Sequence, residues 1–116
     1  MKENQDFECH QGVTRVVTVN TDDSAGDPKT LTSAEWYAFK NEGDKAEEAV
    51  LSKTGAAITL VDIDGTKDGA RFTLSPKDSA RLEGNYYHET WGEDGTGNRD
   101  LVAIGKMTVK ASGGKG

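Results

Sequence analysis

The chain has 116 residues, a single-domain length, of which 34% are hydrophobic, 7% aromatic and 29% charged. Fourteen Lys and Arg stand against twenty Asp and Glu, a net charge of −6. That balance argues against nucleic acid and against an anionic membrane surface, both of which are gripped by clustered cations.

No apolar run approaches the roughly 20 residues that cross a bilayer, and the polar start Met1–Asp6 carries no signal-peptide stretch. A soluble protein made in the cytoplasm and not exported by that route is the expectation. Residues 1–6 read as a flexible N-terminal arm, residues 7–110 as one domain, and residues 111–116, rich in Gly, Ser and Lys, as a flexible C-terminal tail.

Cys9 is the lone cysteine, so no intrachain disulfide is possible. With His10 and His88 the only histidines, zinc would lack a full ligand set. Adjacent strand residues point to opposite faces, which also places His10 poorly as a base for a Cys9 nucleophile. Val13–Val19 is β-branched, with Val13, Val17 and Val19 on one face, and the turn-forming run 21–28 breaks it.

Residues 32–53 are pulled two ways. Thr32 with Glu35 reads as a capping box ahead of Gly43, and Asp44 could cap a second helix to Gly55. Against this, Ala34, Trp36 and Ala38 alternate with Glu35, Tyr37 and Phe39, as in a strand. The balance falls to strand over 34–40 and stays even over 47–53. Further strands are expected at 57–61, 70–74, 85–91 and 101–109, separated by Gly turns.

The acidic run Asp62–Gly69 has the flavour of a calcium loop. However, its Gly falls fourth, Lys67 sixth and Thr73 twelfth, so a hairpin turn with solvated acids is expected. Ser75-Pro76 opens one helical turn near residues 76–82, and Tyr86, entering a strand after Gly84, suits a tyrosine corner. Beyond it, Tyr87, Glu89 and Trp91 share one strand face and Tyr86, His88 and Thr90 the other. An exposed Tyr87–Trp91 pair would make a glycan-stacking platform, although with so few aromatics most are expected in the core. Gly95-Thr96-Gly97 precedes a strand and cradles no phosphate. No catalytic residue, metal or cofactor is expected, and the chain reads as an all-β antiparallel sandwich or barrel.

Several strings extend this reading. Phe7, Gln11-Gly12-x-Thr14-Arg15 and Leu31-Thr32-Ser33-Ala34-x-Trp36 open the chain. Arg71-Phe72-Thr73-Leu74-Ser75, Leu82-x-Gly84-x-Tyr86-Tyr87-His88-Glu89, Asp94-Gly95-x-Gly97-Asn98 and Gly105-Lys106-Met107-Thr108-Val109 follow in order. The series resembles the small immunoglobulin-like β-sandwich accessory proteins of tailed-phage virions, including the N-terminal domain family of upper baseplate proteins, over about residues 7–110.

The resemblance implies an antiparallel immunoglobulin-like sandwich and a non-enzymatic virion role, with strand at Trp36. The chain departs from the pattern in its helix-favouring Lys45–Ala49 and in carrying no large C-terminal receptor-binding module. The expectation therefore turns to a decoration or cementing subunit on the outer capsid surface, made in the host cytoplasm. Its partners would be the major capsid protein or other virion proteins, with a homo-oligomer allowed. A tail or baseplate adaptor and a carbohydrate-binding module stand as alternatives. Phe7, Cys9 and His10, beside the N-terminal arm, are the expected attachment residues.

Overall fold

The computed structural model describes residues 1–111 apart from Ser24, Pro28 and Asp64. The tail expected at 111–116 therefore lies, beyond Ala111, outside the described residues. Among the described residues eight strands form two facing sheets: β1 (Phe7–His10), β2 (Arg15–Asn20), β3 (Ser33–Phe39), β4 (Leu51–Thr54), β5 (Thr59–Val61), β6 (Gly69–Leu74), β7 (Gly84–Glu93) and β8 (Arg99–Lys110). One sheet runs β1-β8-β7-β3-β4 and the other β2-β6-β5. Every strand pair is antiparallel except β1 with β8. After β1 the chain turns at Gly12, whose φ is +73°, and enters the other sheet as β2.

The core follows from period-two alternation. Val17 and Val19 of β2, Phe72 and Leu74 of β6, Ala34, Trp36 and Ala38 of β3, and Met107 and Val109 of β8 all point between the sheets and are buried. Trp36 sits at the centre, fully enclosed, with its ring 4.4 Å from that of Phe72 across the sandwich. Val13, expected on the same face as Val17 and Val19, precedes β2 in the turn and is 49% exposed.

The contested stretch resolves by tertiary pairing. Residues 33–39 are strand because they lie between β4 and β7, and burial of every second residue outweighs the helical signals. The Thr32 hydroxyl caps no helix; it donates to the carbonyls of Glu93 and Asp94. Of the second helix only one 3-10 turn, Ala46–Glu48, survives, and Leu51–Thr54 pairs with β3 as an edge strand.

The helical turn α1 (Pro76–Ser79) begins where Ser75 places it. The Ser75 hydroxyl accepts from Asp78 N at 3.3 Å and the Asp78 carboxylate accepts from Ser75 N at 2.7 Å. Burial pushes the Asp78 carboxyl up, but Lys53 Nζ, 2.8 Å away, and the Ser75 N–H outweigh it, and the group sits below its ordinary range. The helix ends at Ser79, sooner than residue 82; a turn closed by Leu82 N donating to Ser79 O at 3.0 Å follows, and Gly84, at φ +96°, leads into β7. There the Tyr86 hydroxyl accepts from Glu83 N at 3.1 Å and donates to Glu83 O at 3.2 Å, pinning the crossover. This corner, the strand order and the enclosed Trp36 on β3 together give an immunoglobulin-like sandwich.

The N-terminal segment departs from the expected arm. Lys2 N and Gln5 N donate to Val102 O and Ile104 O, and Ile104 N donates to Lys2 O, so residues 2–5 prolong the β1 edge alongside β8. Polar side chains suggested a free segment, but the backbone groups of an uncovered β8 edge need partners whatever side chains pass over them.

Candidate functional site

The outer face of the five-stranded sheet is built from residues opposite in parity to the core. On β3 these are Glu35, Tyr37 and Phe39; on β7, Tyr87, Glu89 and Trp91; on β8, Arg99, Leu101, Ile104 and Lys106. Of the two Trp, three Tyr and three Phe in the chain, Tyr37, Tyr87 and Trp91 lie here half-buried, while Trp36, Phe39, Phe72 and Tyr86 are buried and Phe7 packs against the core. A solvated sheet face is ordinarily polar. The other sheet obeys that rule, presenting Thr18, Thr59, Arg71 and Thr73 outward with Val16.

A bulge shapes the β7–β8 end. Thr90 lies opposite Ala103 but Trp91 opposite Leu101, so Val102 is an extra residue, and it turns inward, fully buried. The guanidinium of Arg99 stands 4.4 Å over the Trp91 ring and donates to Glu35 Oε2 at 2.9 Å. Glu35 also accepts from the Tyr37 hydroxyl at 2.7 Å, and Trp91 Nε1 donates to Glu89 Oε1 at 3.1 Å. The Arg99 bond, then the Tyr37 bond, hold the Glu35 carboxyl below its usual range, while the bond to Glu35 raises the Tyr37 phenol.

Two hollows open on this face and share Glu89. The smaller, about 340 Å³, is lined by Tyr37, Phe39, Trp91, Arg99 and the 44–47 segment. The larger, about 580 Å³, has Tyr87, Leu101 and Ile104 in its lining and Glu3, Asp6, Glu42 and Glu89 around it. Its wall toward the sheet edge is the N-terminal segment.

Beneath the larger hollow lies His88, 1% exposed. Its Nδ1 accepts from Trp36 Nε1 at 3.2 Å and its Nε2 donates to Gln5 O at 2.6 Å. An acceptor and a donor on one ring require the neutral imidazole protonated on Nε2. Burial lowers the His88 pKa, against the smaller raising effects of the Gln5 bond and the Asp6 charge. His88 follows Tyr86 by two residues on β7, the position that holds a disulfide cysteine in antibody domains. Here a hydrogen bond to the Trp36 indole occupies that place.

The expected attachment residues divide. Phe7 points inward, its ring 6.4 Å from Trp36 and 5.2 Å from His88, and Cys9 is buried at 3% exposure. A partner meeting β1 would touch Glu8 and the exposed His10, because alternation along so short a strand sends every second side chain into the sandwich. Burial raises the Cys9 thiol pKa, and a nearby Arg15 draws it back in part. Cys9 pairs with Val109, which pairs with Gly84, so His88 is two strands over and four residues along β7. The Cys–His pair that the sequence offered is not assembled.

The acidic loops serve their own turns. Asp68 accepts from Ile63 N and Gly65 N, Asp62 from Lys67 N, and Asp94 from the Thr96 amide and hydroxyl and from Asn98 N. Among the described residues no group of three or more His, Cys, Asp or Glu is arranged to hold a metal. Sequence reading found Tyr87 and Trp91 but missed Glu35, Tyr37 and Arg99. The first two were signalled by their alternation with the core residues of β3. Arg99 carried no such mark, since it joins Glu35 from two strands away.

No protein-family model matches the chain, and no curated protein matches it. Similar solved structures are the fibronectin(III)-like modules of Clostridium thermocellum CbhA, at 10% identity over 94% of this chain and 91% of that one, TM-score 0.48. The V domain of amphioxus IgVJ-C2 is 14% identical over 90% of this chain and 99% of that one, TM-score 0.33. The likeness lies in the strand arrangement alone. Among the described residues no helix is long and apolar enough to cross a membrane.

Proposed function

We propose that this chain is a non-catalytic binding module that grips another protein with the outer face of its five-stranded sheet. We place it on the outer surface of a tailed-phage head, as a decoration or cementing subunit bound to the major capsid protein. The observation that supports the binding role is the Tyr37–Tyr87–Trp91–Arg99 surface, an unusually aromatic outer face with an arginine, the residue types that dominate protein interfaces. The virion assignment is supported by the order of strand and turn motifs along the chain.

The tail-adaptor alternative differs in copy number. A stained gel of purified particles distinguishes a band scaling with the major shell subunit, which supports decoration, from a few copies per particle, which supports the adaptor. The paired substitution Tyr87→Ala and Trp91→Ala, in protein that melts cooperatively, is expected to abolish retention on particles. Retention at the wild-type level would overturn the binding face.

Glycan binding through Tyr87 and Trp91 is the second reading, and the placing of these two half-buried rings on one outer strand face favours it. Against it, a sugar stacking on Trp91 would compete with the Arg99 guanidinium already over that ring. Arg99→Ala would free the ring face. It should raise glycan affinity if the sugar reading holds and weaken protein docking if the leading reading does.

A further inference from the structure

We infer that the larger hollow on the outer sheet face receives a cationic segment of the partner protein, one that places an apolar side chain on Tyr87, Leu101 and Ile104. This rests on the binding-face reading above and assigns the chemistry of its occupant. A volume of about 580 Å³ is within the range of pockets that enclose a few side chains. Three half-buried apolar surfaces, from β7 and β8, line it without being covered by any other element among the described residues.

Charge selects the occupant. Glu3 and Asp6 come from the N-terminal segment, Glu42 from the loop after β3 and Glu89 from β7, against the single cation Lys106. Acidic residues from three separate parts of the chain thus border one opening, with Asp6 Oδ1 accepting from Lys106 N and Glu89 Oε1 from Trp91 Nε1. An opposing Lys or Arg gains from all of them at once, and like charge is turned away. A second copy of this chain, itself at −6, would bring acids against acids if it docked here. Phosphate-rich surfaces are repelled for the same reason. A neutral glycan would gain nothing from the rim, so its binding would not depend on salt.

The test uses the full chain and a hexapeptide of alternating leucine and lysine, with a leucine–glutamate hexapeptide and a chitin hexasaccharide as counter-probes. Amide chemical shifts are followed during each titration. The leucine–lysine peptide is expected to give saturable shifts centred on Tyr87, Glu89 and Ile104. Its affinity should fall roughly tenfold in high salt and again in the exposed-site variant carrying Glu3→Lys with Glu42→Lys. Val16→Lys, on the opposite sheet, should leave binding unchanged.

Equal binding of the glutamate peptide, salt-independent binding of the hexasaccharide in its place, or no shifts at these residues would overturn the inference. Particle retention separates its failure from that of the face itself. If Tyr87→Ala with Trp91→Ala loses particles while Glu3→Lys with Glu42→Lys keeps them, the face stands and the cationic occupant falls.

Discussion

His88 sits at the centre of the sandwich as a neutral imidazole, joined to the Trp36 indole on one side and the Gln5 carbonyl on the other. Protonation would turn Nδ1 into a donor facing the Trp36 N–H and would bury a charge, so the folded state resists it. The folded-state pKa lies below the unfolded value of about 6.5. The unfolded chain therefore binds more protons in this range, and stability is fully present above pH ~6.5 and falls as the pH drops below it. The loss can approach about 1.4 kcal/mol per pH unit for one proton until the folded group also titrates. The lowered carboxyls of Asp23, Glu35, Asp78 and Asp94 act in a more acidic window. Urea midpoints between pH 5 and 7 should thus slope in wild-type protein and flatten in His88→Gln. An unchanged slope in the variant would assign the effect elsewhere. The inward face of β7 was readable from alternation. That a histidine on it would serve as the indole's acceptor was not, because the pairing joins residues 52 positions apart.

At the scale of elements, the most legible features were those whose signal and partner lie within a few residues. Ser75-Pro76 opened α1, and Tyr86 bonded the backbone three residues upstream. Tyr86→Phe removes a hydroxyl that both accepts and donates at the crossover, and should lower unfolding stability by about 1–2 kcal/mol with the fold unchanged. A loss near zero would mean the corner is held by packing alone.

Elements settled by distant pairing were harder. The helix-favouring run 45–49 yielded a single 3-10 turn because β3 offered its edge to residues 51–54. Gly105 is another such case. A Cβ there would meet the Gln5 carbonyl carbon and oxygen at 2.5 Å and His88 Nε2 at 2.7 Å. Gly105→Ala should therefore cost about 1–3 kcal/mol. The damage should be local, with the amides of Lys2 and Gln5 exchanging faster while those of β2 and β6 keep their protection.

For the molecule as a whole, the sheet edge at β8 is the decisive border. Composition marked residues 1–6 as lying outside the domain; Glu3, Asn4 and Asp6 are exposed, whereas Met1, Lys2 and Gln5 are half-buried. Backbone bonding reverses that assignment, and no side-chain pattern encodes it. The same segment supplies Glu3 and Asp6 to the larger hollow and the Gln5 carbonyl to His88, so fold and candidate site share one strip of chain. Of the site, the Tyr87–Trp91 spacing was visible in the sequence, whereas the acids brought beside it from residues 3, 6 and 42 were not.

Deleting residues 1–6 makes the difference measurable. The deletion would leave Ile104 N and O and Lys106 N without their present partners, would take Lys2 N from Val102 O, which keeps Asp22 N, and would strand the buried His88 Nε2. Water can reach the edge groups once they are uncovered, so the imidazole carries most of the cost, about 1–3 kcal/mol. The urea midpoint should fall accordingly. The newly bared β8 edge should also raise concentration-dependent association, which light scattering would register. A truncated chain that kept the wild-type midpoint and stayed monomeric would instead return residues 1–6 to the role of an arm and leave His88 satisfied by solvent.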